Sequence, residues 1–308
     1  MTAVEELEIL RNGAGAVDRS DRGAVLVTGP EAFSFLQALV SADLDPLSDG
    51  QGARSLLLTP QGKLDVAFRL LRVGDDAWLD SDPGTGEQLA ASLNRFKIRV
   101  KAEVVDRSTE WGVVSVIGPG ADDRFRGAAT PAEHHDHVAY DGARLVRTEY
   151  GFDIVGPQAV VNAAIRELTA SGISPVGATA FDAFRVEAGV PVQPVDIDEK
   201  TIPQEAFLEI DAVSFSKGCF LGQELVCRID SRGHVNKFLR RITDIEGDWP
   251  ERGAEIVVDG KVVGAVTSVA ERELGVGALG YVRREVEPGA EVELRSVSGI
   301  AHATIAAL

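Results

Sequence analysis

The densest chemistry in the chain lies in one stretch, Ser216-Lys217-Gly218-Cys219-Phe220-Leu221-Gly222-Gln223-Glu224. A lysine, one of only two cysteines, two glycines and a Gln-Glu pair fall within these nine positions. Leu221, Leu225 and Ile229 then recur every four residues and Gly233 supplies a stop, so the spacing predicts a short amphipathic helix from about Gly222 to about Arg232. Cys219 stands just ahead of it. Orphan backbone N–H groups and the positive end of the helix dipole favour a thiolate there, and Lys217 adds to the effect if its side chain turns the same way. The glycines allow a tight backbone and close approach of a ligand or partner. The plainer reading is a buried cysteine at a loop-to-helix junction, with Glu224 and Arg228 as an ordinary i,i+4 ion pair. Spacing alone does not separate the two.

A second candidate is Phe181-Asp182-Ala183-Phe184-Arg185-Val186-Glu187-Ala188-Gly189. A carboxylate near the C-terminal end of a helix opposes the dipole unless something pairs with it. Glu187 there can take two hydrogen bonds from an aminopyrimidinone edge, as from an arginine fork, or be satisfied by Arg185 or a backbone donor. Glu133-His134-His135-Asp136-His137 holds three of the five histidines, but adjacent residues diverge on a helix or a strand, so a solvated loop is expected and no metal site. A Cys219–His234 pair would need the loop after Gly233 to fold back. GxGxxG, Walker and GxSxG patterns are absent from the sequence.

The positioning elements follow from periodicity. Ala24 to Gly29 reads as a buried strand stopped by Gly29-Pro30, after which Phe33, Leu36, Leu39 and Val40 mark a helix face. Arg54 to Leu58, the turn Thr59-Pro60-Gln61-Gly62, Lys63 to Val73 and a partner strand near Ala77 make antiparallel hairpins. Gly86 to Phe96 has helical spacing and Lys97 to Val105 is extended. Val113 to Ala121 then echoes Val25 to Ala32, which implies two related α+β units about ninety residues apart. Arg144 to Val155 gives strands, Pro157 opens a helix, and Ala178 to Ala188 is a helix ended by Gly189 with Pro191 beyond. From Phe238 the pattern is all β, consistent with a small barrel. The expected fold is α+β: residues 1–110, then 111–237 carrying the cysteine stretch, then a barrel over 238–308.

Composition narrows the function class. The 308 residues are 44% hydrophobic and 26% charged, ordinary for globular chains. No run approaches a membrane span, and the acidic start (Glu5, Glu6, Glu8) is unlike a signal peptide, so a cytoplasmic protein is expected. Cys219 and Cys227, eight apart, would be too distant for a disulfide on one helix. The formal net charge of −17 argues against nonspecific binding to nucleic acid or anionic membrane. From Lys217 to Arg241, however, six basic residues face only Glu224 and Asp230, a local excess of four positive charges. Such an island attracts a small anion, and a solvated face explains it equally well.

With these residues in view, the chain resembles the YgfZ group of folate-binding proteins, relatives of the glycine-cleavage T-protein, an aminomethyltransferase. Lys217-Gly218-Cys219-Phe220-Leu221-Gly222-Gln223-Glu224 matches the group's KGC[YF]xGQE signature, and Phe184-Arg185-Val186-Glu187-Ala188-Gly189 resembles the R-x-E-A-G segment shared with T-protein. Pro203-Gln204-Glu205-Ala206, Arg232-Gly233 and Gly264-Ala265-Val266-Thr267-Ser268 support it. The resemblance implies two related α+β units around a central channel for tetrahydrofolate or a one-carbon derivative, followed by a C-terminal β-barrel. It also implies a role in assembly or repair of iron-sulfur proteins, with indirect effects on iron-sulfur-dependent tRNA modification. Glu187 takes the pterin-binding position, Arg228 or a neighbouring basic residue is assigned from charge to the glutamate tail, and Cys219 is the reactive centre. The implied partners are folate and iron-sulfur proteins or their assembly machinery, with no direct nucleic acid, no membrane, and a monomer expected.

One departure bears on chemistry. T-protein carries a catalytic aspartate on the strand after its Gly-Gly turn, and the matching position in Gln61-Gly62-Lys63-Leu64-Asp65-Val66-Ala67-Phe68 is Ala67. Asp65, two residues earlier and on the same face of a regular strand, is displaced by about 7 Å, and proton transfer demands tighter placement. Two rivals therefore stand beside the main reading: a folate-dependent aminomethyl transferase or demethylase, and a non-catalytic scaffold acting through protein contacts.

Overall fold

The apolar-rich runs after Gly52 form three antiparallel strands, Gly52–Leu58, Leu64–Val73 and Asp76–Pro83, the first two carrying nearly continuous buried stretches. Arg22–Thr28 and Glu103–Asp106 extend them into a five-stranded antiparallel sheet. Val66, Phe68 and Leu70 face the helices Ala32–Leu39 and Gly86–Phe96, whose Leu36, Leu89 and Leu93 are fully buried in the same core. Burial of each such side chain contributes about 1.5–3 kcal/mol. A second, six-stranded sheet runs in the order Ser174–Val176, Gly15–Asp18, Trp111–Ile117, Gly151–Pro157, Ala143–Thr148, His137–Tyr140, with only the first pair parallel.

The computed structural model describes residues 1–127 and 129–308 and divides into two units. Both sheets belong to the unit formed by Glu8–Gly177 and Glu209–Leu225. The other unit comprises Met1–Leu7, Ala178–Leu208 and Val226–Leu308. It holds the helix Ala178–Ala188 and a closed barrel of Lys237–Gly247, Ala278–Arg283, Lys261–Val269, Glu255–Val258, Glu291–Ser296 and Gly299–Ala306, filled by residues such as Ile242, Ile256, Leu294 and Ile305.

The internal echo has a structural counterpart. Strands Arg22–Thr28 and Trp111–Ile117 each run into a glycine at positive φ, Gly29 (107°) and Gly118 (122°). In both places a side chain would collide with a passing carbonyl, Lys101 O or Gly13 O. The helices that follow differ: Ala32–Leu39 has eight residues and Ala121–Arg124 only four. Among the described residues no helix is long and apolar enough to cross a membrane.

Candidate functional site

The Cys219 stretch is a loop fixed by its own side chains. The Lys217 ammonium donates to the carbonyls of Gln37 (2.8 Å), Val40 (2.8 Å) and Ala42 (2.6 Å), with Gln37 Oε1 at 3.2 Å. Burial pulls its pKa down to about 8 against the opposing influence of Asp43 and Asp45, so the group stays protonated at neutral pH. Phe220 is buried, and its N–H donates to Gln223 Oε1 at 3.1 Å. Leu221 packs on the core of the five-stranded sheet.

Gly222 (φ 76°) closes the turn. A Cβ on it would meet Thr59 O at 2.4 Å, and one on Gly62 would meet Leu225 Cβ at 2.6 Å, so the loop sits directly on the Thr59–Gly62 turn. Gly218, by contrast, has open space around it, and both Gly218 and Cys219 are exposed. The helix itself begins at Gln223, one residue later than its spacing predicts, and runs to Arg232. Three residues thus separate Cys219 from the helix, and the thiol is solvent-facing rather than packed. The Lys217 side chain, which would add to the thiolate effect only if it turned the same way, binds the end of helix Ala32–Leu39. Glu224 and Arg228 are exposed on the helix surface.

On strand Leu64–Val73, Ala67 is buried and pairs with Leu56. Pairing shifts between Leu57–Val66 and Leu58–Leu64, so Asp65 is the extra residue of a β-bulge. The shared face assumed for a regular strand is therefore lost. The Asp65 carboxylate takes a 2.8 Å hydrogen bond from Gln88 Nε2 on helix Gly86–Phe96, the side of Val66 and Phe68.

Glu187 is half-buried in the last turn of helix Ala178–Ala188, in the barrel-containing unit. The helix ends as its Gly189 predicts: Val190 N–H bonds Arg185 O and Gly189 N–H bonds Val186 O, with Gly189 at φ 75°. Arg241 donates to Glu187 O at 2.9 Å, placing a cation at the negative helix end. Arg185 is directed to Asp182 (2.6 Å), Asp196 (2.8 Å) and Ser268 (2.9 Å). Asp196, which spacing did not single out, also accepts Val192 N–H, Thr267 Oγ1 and Ser268 Oγ, which explains the Thr267-Ser268 pair in structural terms. In the Pro203-Gln204-Glu205-Ala206 segment, Gln204 Nε2 donates to Val226 O at 2.9 Å and Glu205 accepts Ile202 N–H at 3.2 Å.

In the same unit a cation is packed on a pair of aromatic rings. Arg240 lies 5.1 Å over the Phe207 ring and 4.8 Å over Phe238, which are themselves stacked at 5.4 Å. Its Nε is buried without a hydrogen-bond partner, and burial pulls its pKa down. Glu187, Arg228 and Arg240 all belong to this unit.

The histidine segment departs from the solvated loop expected of it. His137 opens a strand and is 3% exposed; its N–H bonds Gly50 O at 2.7 Å, and Nε2 lies 3.0 Å from Arg72 O. Among the described residues no group of three or more His, Cys, Asp or Glu side chains is arranged to hold a metal ion. Spacing also missed a buried ionic network: Arg69 bonds Asp80 and Asp153 at 2.8 Å each, Arg22 reaches Asp80 and Asp82, and Ser115 donates to Asp153 at 2.6 Å. Its signal is charge inside apolar strand runs, as in Phe152-Asp153-Ile154.

Comparison with known proteins bears on the family and the fold. Aminomethyltransferase of Rubrobacter xylanophilus is 29% identical over 315 residues, covering 94% of this chain and 82% of the relative. Aminomethyltransferase of Rippkaea orientalis is 30% identical over 321 residues, covering 94% and 85%. The crystal structure of glycine cleavage system aminomethyltransferase T from Bartonella henselae superposes with a TM-score of 0.87 at 23% identity, covering 99% of this chain and 88% of that one, and so shares the fold. The family described as the GCVT N-terminal domain matches residues 1–217, well over half of the chain, and the protein belongs to that family.

Proposed function

We propose that this protein binds tetrahydrofolate or a one-carbon derivative and supports the assembly or repair of iron-sulfur proteins, with Cys219 as its reactive centre and an indirect effect on iron-sulfur-dependent tRNA modification. The carrying observation is how the signature loop divides its work. Lys217, Phe220, Gly222 and Gln223 hold the loop, while Cys219 presents its thiol to solvent. In this reading Glu187 receives two hydrogen bonds from the pterin edge, and Arg228 or Arg240 meets the glutamate tail. Bound folate would supply a one-carbon unit. Ala67 offers no acid–base group at the strand position where the transferase relatives are expected to place one, which supports a role other than ordinary aminomethyl transfer. The three-part division at residues 110 and 237 belongs to the same proposal.

Tetrahydrofolate titration tests the first half. Saturable micromolar binding, weakened at least about tenfold by Glu187→Ala, is expected; no saturation, with the variant behaving identically, removes it. Cys219→Ser should keep fold and folate binding yet fail to restore iron-sulfur enzyme activity in cells lacking the protein. Full restoration would return Cys219 to an ordinary surface residue. The second reading, a one-carbon transferase or demethylase, is favoured by the aminomethyltransferase relatives. Methylene-tetrahydrofolate or formaldehyde formed from a small amine would establish it, and an Asp65→Asn variant with full turnover would exclude Asp65 as its acid–base group.

A further inference from the structure

A lysine two residues before a cysteine invites an electrostatic role, yet the contacts of Lys217 lead elsewhere. The carbonyls of Gln37, Val40 and Ala42 lie at and just beyond the end of helix Ala32–Leu39, where carbonyls lack intrahelical partners and the dipole is negative. Three N–H donors of one ammonium converge on these three oxygens. On the far side of Cys219, Phe220 is buried with its N–H held by Gln223, and Gly222 abuts Thr59 O. Gly218 and Cys219 thus span two fixed points, Lys217 and Phe220, only three residues apart. All of these groups lie in one unit.

We infer that Lys217 is a positioning residue, which fixes the N-terminal side of the Cys219 loop by binding the carbonyl end of helix Ala32–Leu39 and does not act by stabilising the thiolate. Arginine cannot replace it, because a planar fork cannot bring one nitrogen to three carbonyls. The functional consequence rests on the reading of Cys219 as reactive; the mechanical claim stands apart from it.

The test uses the full chain with Cys227→Ala as background, so that Cys219 is the single thiol. In Lys217→Met and Lys217→Arg, amide hydrogen exchange over residues 217–223 should accelerate at least about tenfold. The midpoint of the pH profile for Cys219 alkylation by iodoacetamide should stay within about 0.3 unit of the background protein. A midpoint raised by about one unit in the methionine variant and restored by arginine would overturn the inference in favour of charge stabilisation. Unchanged exchange in both variants would overturn it in favour of a dispensable contact. Lys217→Gln, which keeps two donors, replaces the methionine variant if that does not fold, and should give intermediate exchange rates. Tetrahydrofolate titration of the background protein is read separately, so failure of the folate reading leaves these results intact.

Discussion

The two glycines of the signature are unequal, and the difference is measurable. Gly222 adopts φ 76° with Thr59 O only 2.4 Å from where a Cβ would lie. Gly222→Ala therefore combines left-handed backbone strain with a backbone clash, and should cost about 2 kcal/mol or more in urea unfolding. Gly218 has neither constraint, so Gly218→Ala should stay within about 0.5 kcal/mol. If Gly218→Ala nonetheless loses in-cell activity, the residue serves approach to Cys219 rather than folding. The sequence marks this stretch as a site because unlike residue types crowd into nine positions. It does not say which side chains turn inward: the partners of Lys217 lie some 180 residues earlier in the chain, and only the folded helix Ala32–Leu39 brings their carbonyls together.

At the scale of elements, local patterns carried far. Helices Gly86–Phe96 and Ala178–Ala188 lie where apolar spacing and terminal glycine chemistry put them. The bulge at Asp65 was not legible, because it arises from the pairing of Leu64–Val73 with Gly52–Leu58 and leaves no mark in alternation. The joint between the two sheets was equally hidden. It combines a small apolar cluster of Leu71, Val113, Val146 and Val155 with the network through Arg69, Asp80 and Asp153. Asp80 is held at a pKa of about 2, where burial works against ionisation and the Arg69 and Arg22 guanidinium groups outweigh it. Asp153→Ala would leave Arg69 with a buried, partly uncompensated charge, and should cost roughly 3–5 kcal/mol. A far-ultraviolet denaturation curve checks this; a loss below about 1 kcal/mol would mean that water replaces the carboxylate.

For the molecule as a whole, acid acts through two separable routes. The first is local. Burial, with Arg69 adding for His135 and Arg144 for His137, lowers both histidine pKa values to about 4, and each Nδ1 is buried without a partner. Between the ordinary value near 6.5 and about 4 the unfolded chain binds protons that the folded one refuses. Stability is therefore full above pH 6.5 and is lost as pH falls through that window, with up to about two protons taken up on unfolding. The second route is global: the net charge of −17 at pH 7 vanishes near pI 4.7, which removes the repulsion that keeps molecules apart. Light scattering should peak near pH 4.7 and fall again on further acidification, as the net charge becomes positive. The urea midpoint, in contrast, should decline steadily from pH 6.5 to 4 without recovering. Replacing both histidines with asparagine should flatten that decline while leaving the scattering peak in place. If the decline is equally steep without them, acid loss of the fold is governed by the carboxylate networks instead, and the His135–His137 strap between the two sheets is not the element that fails first.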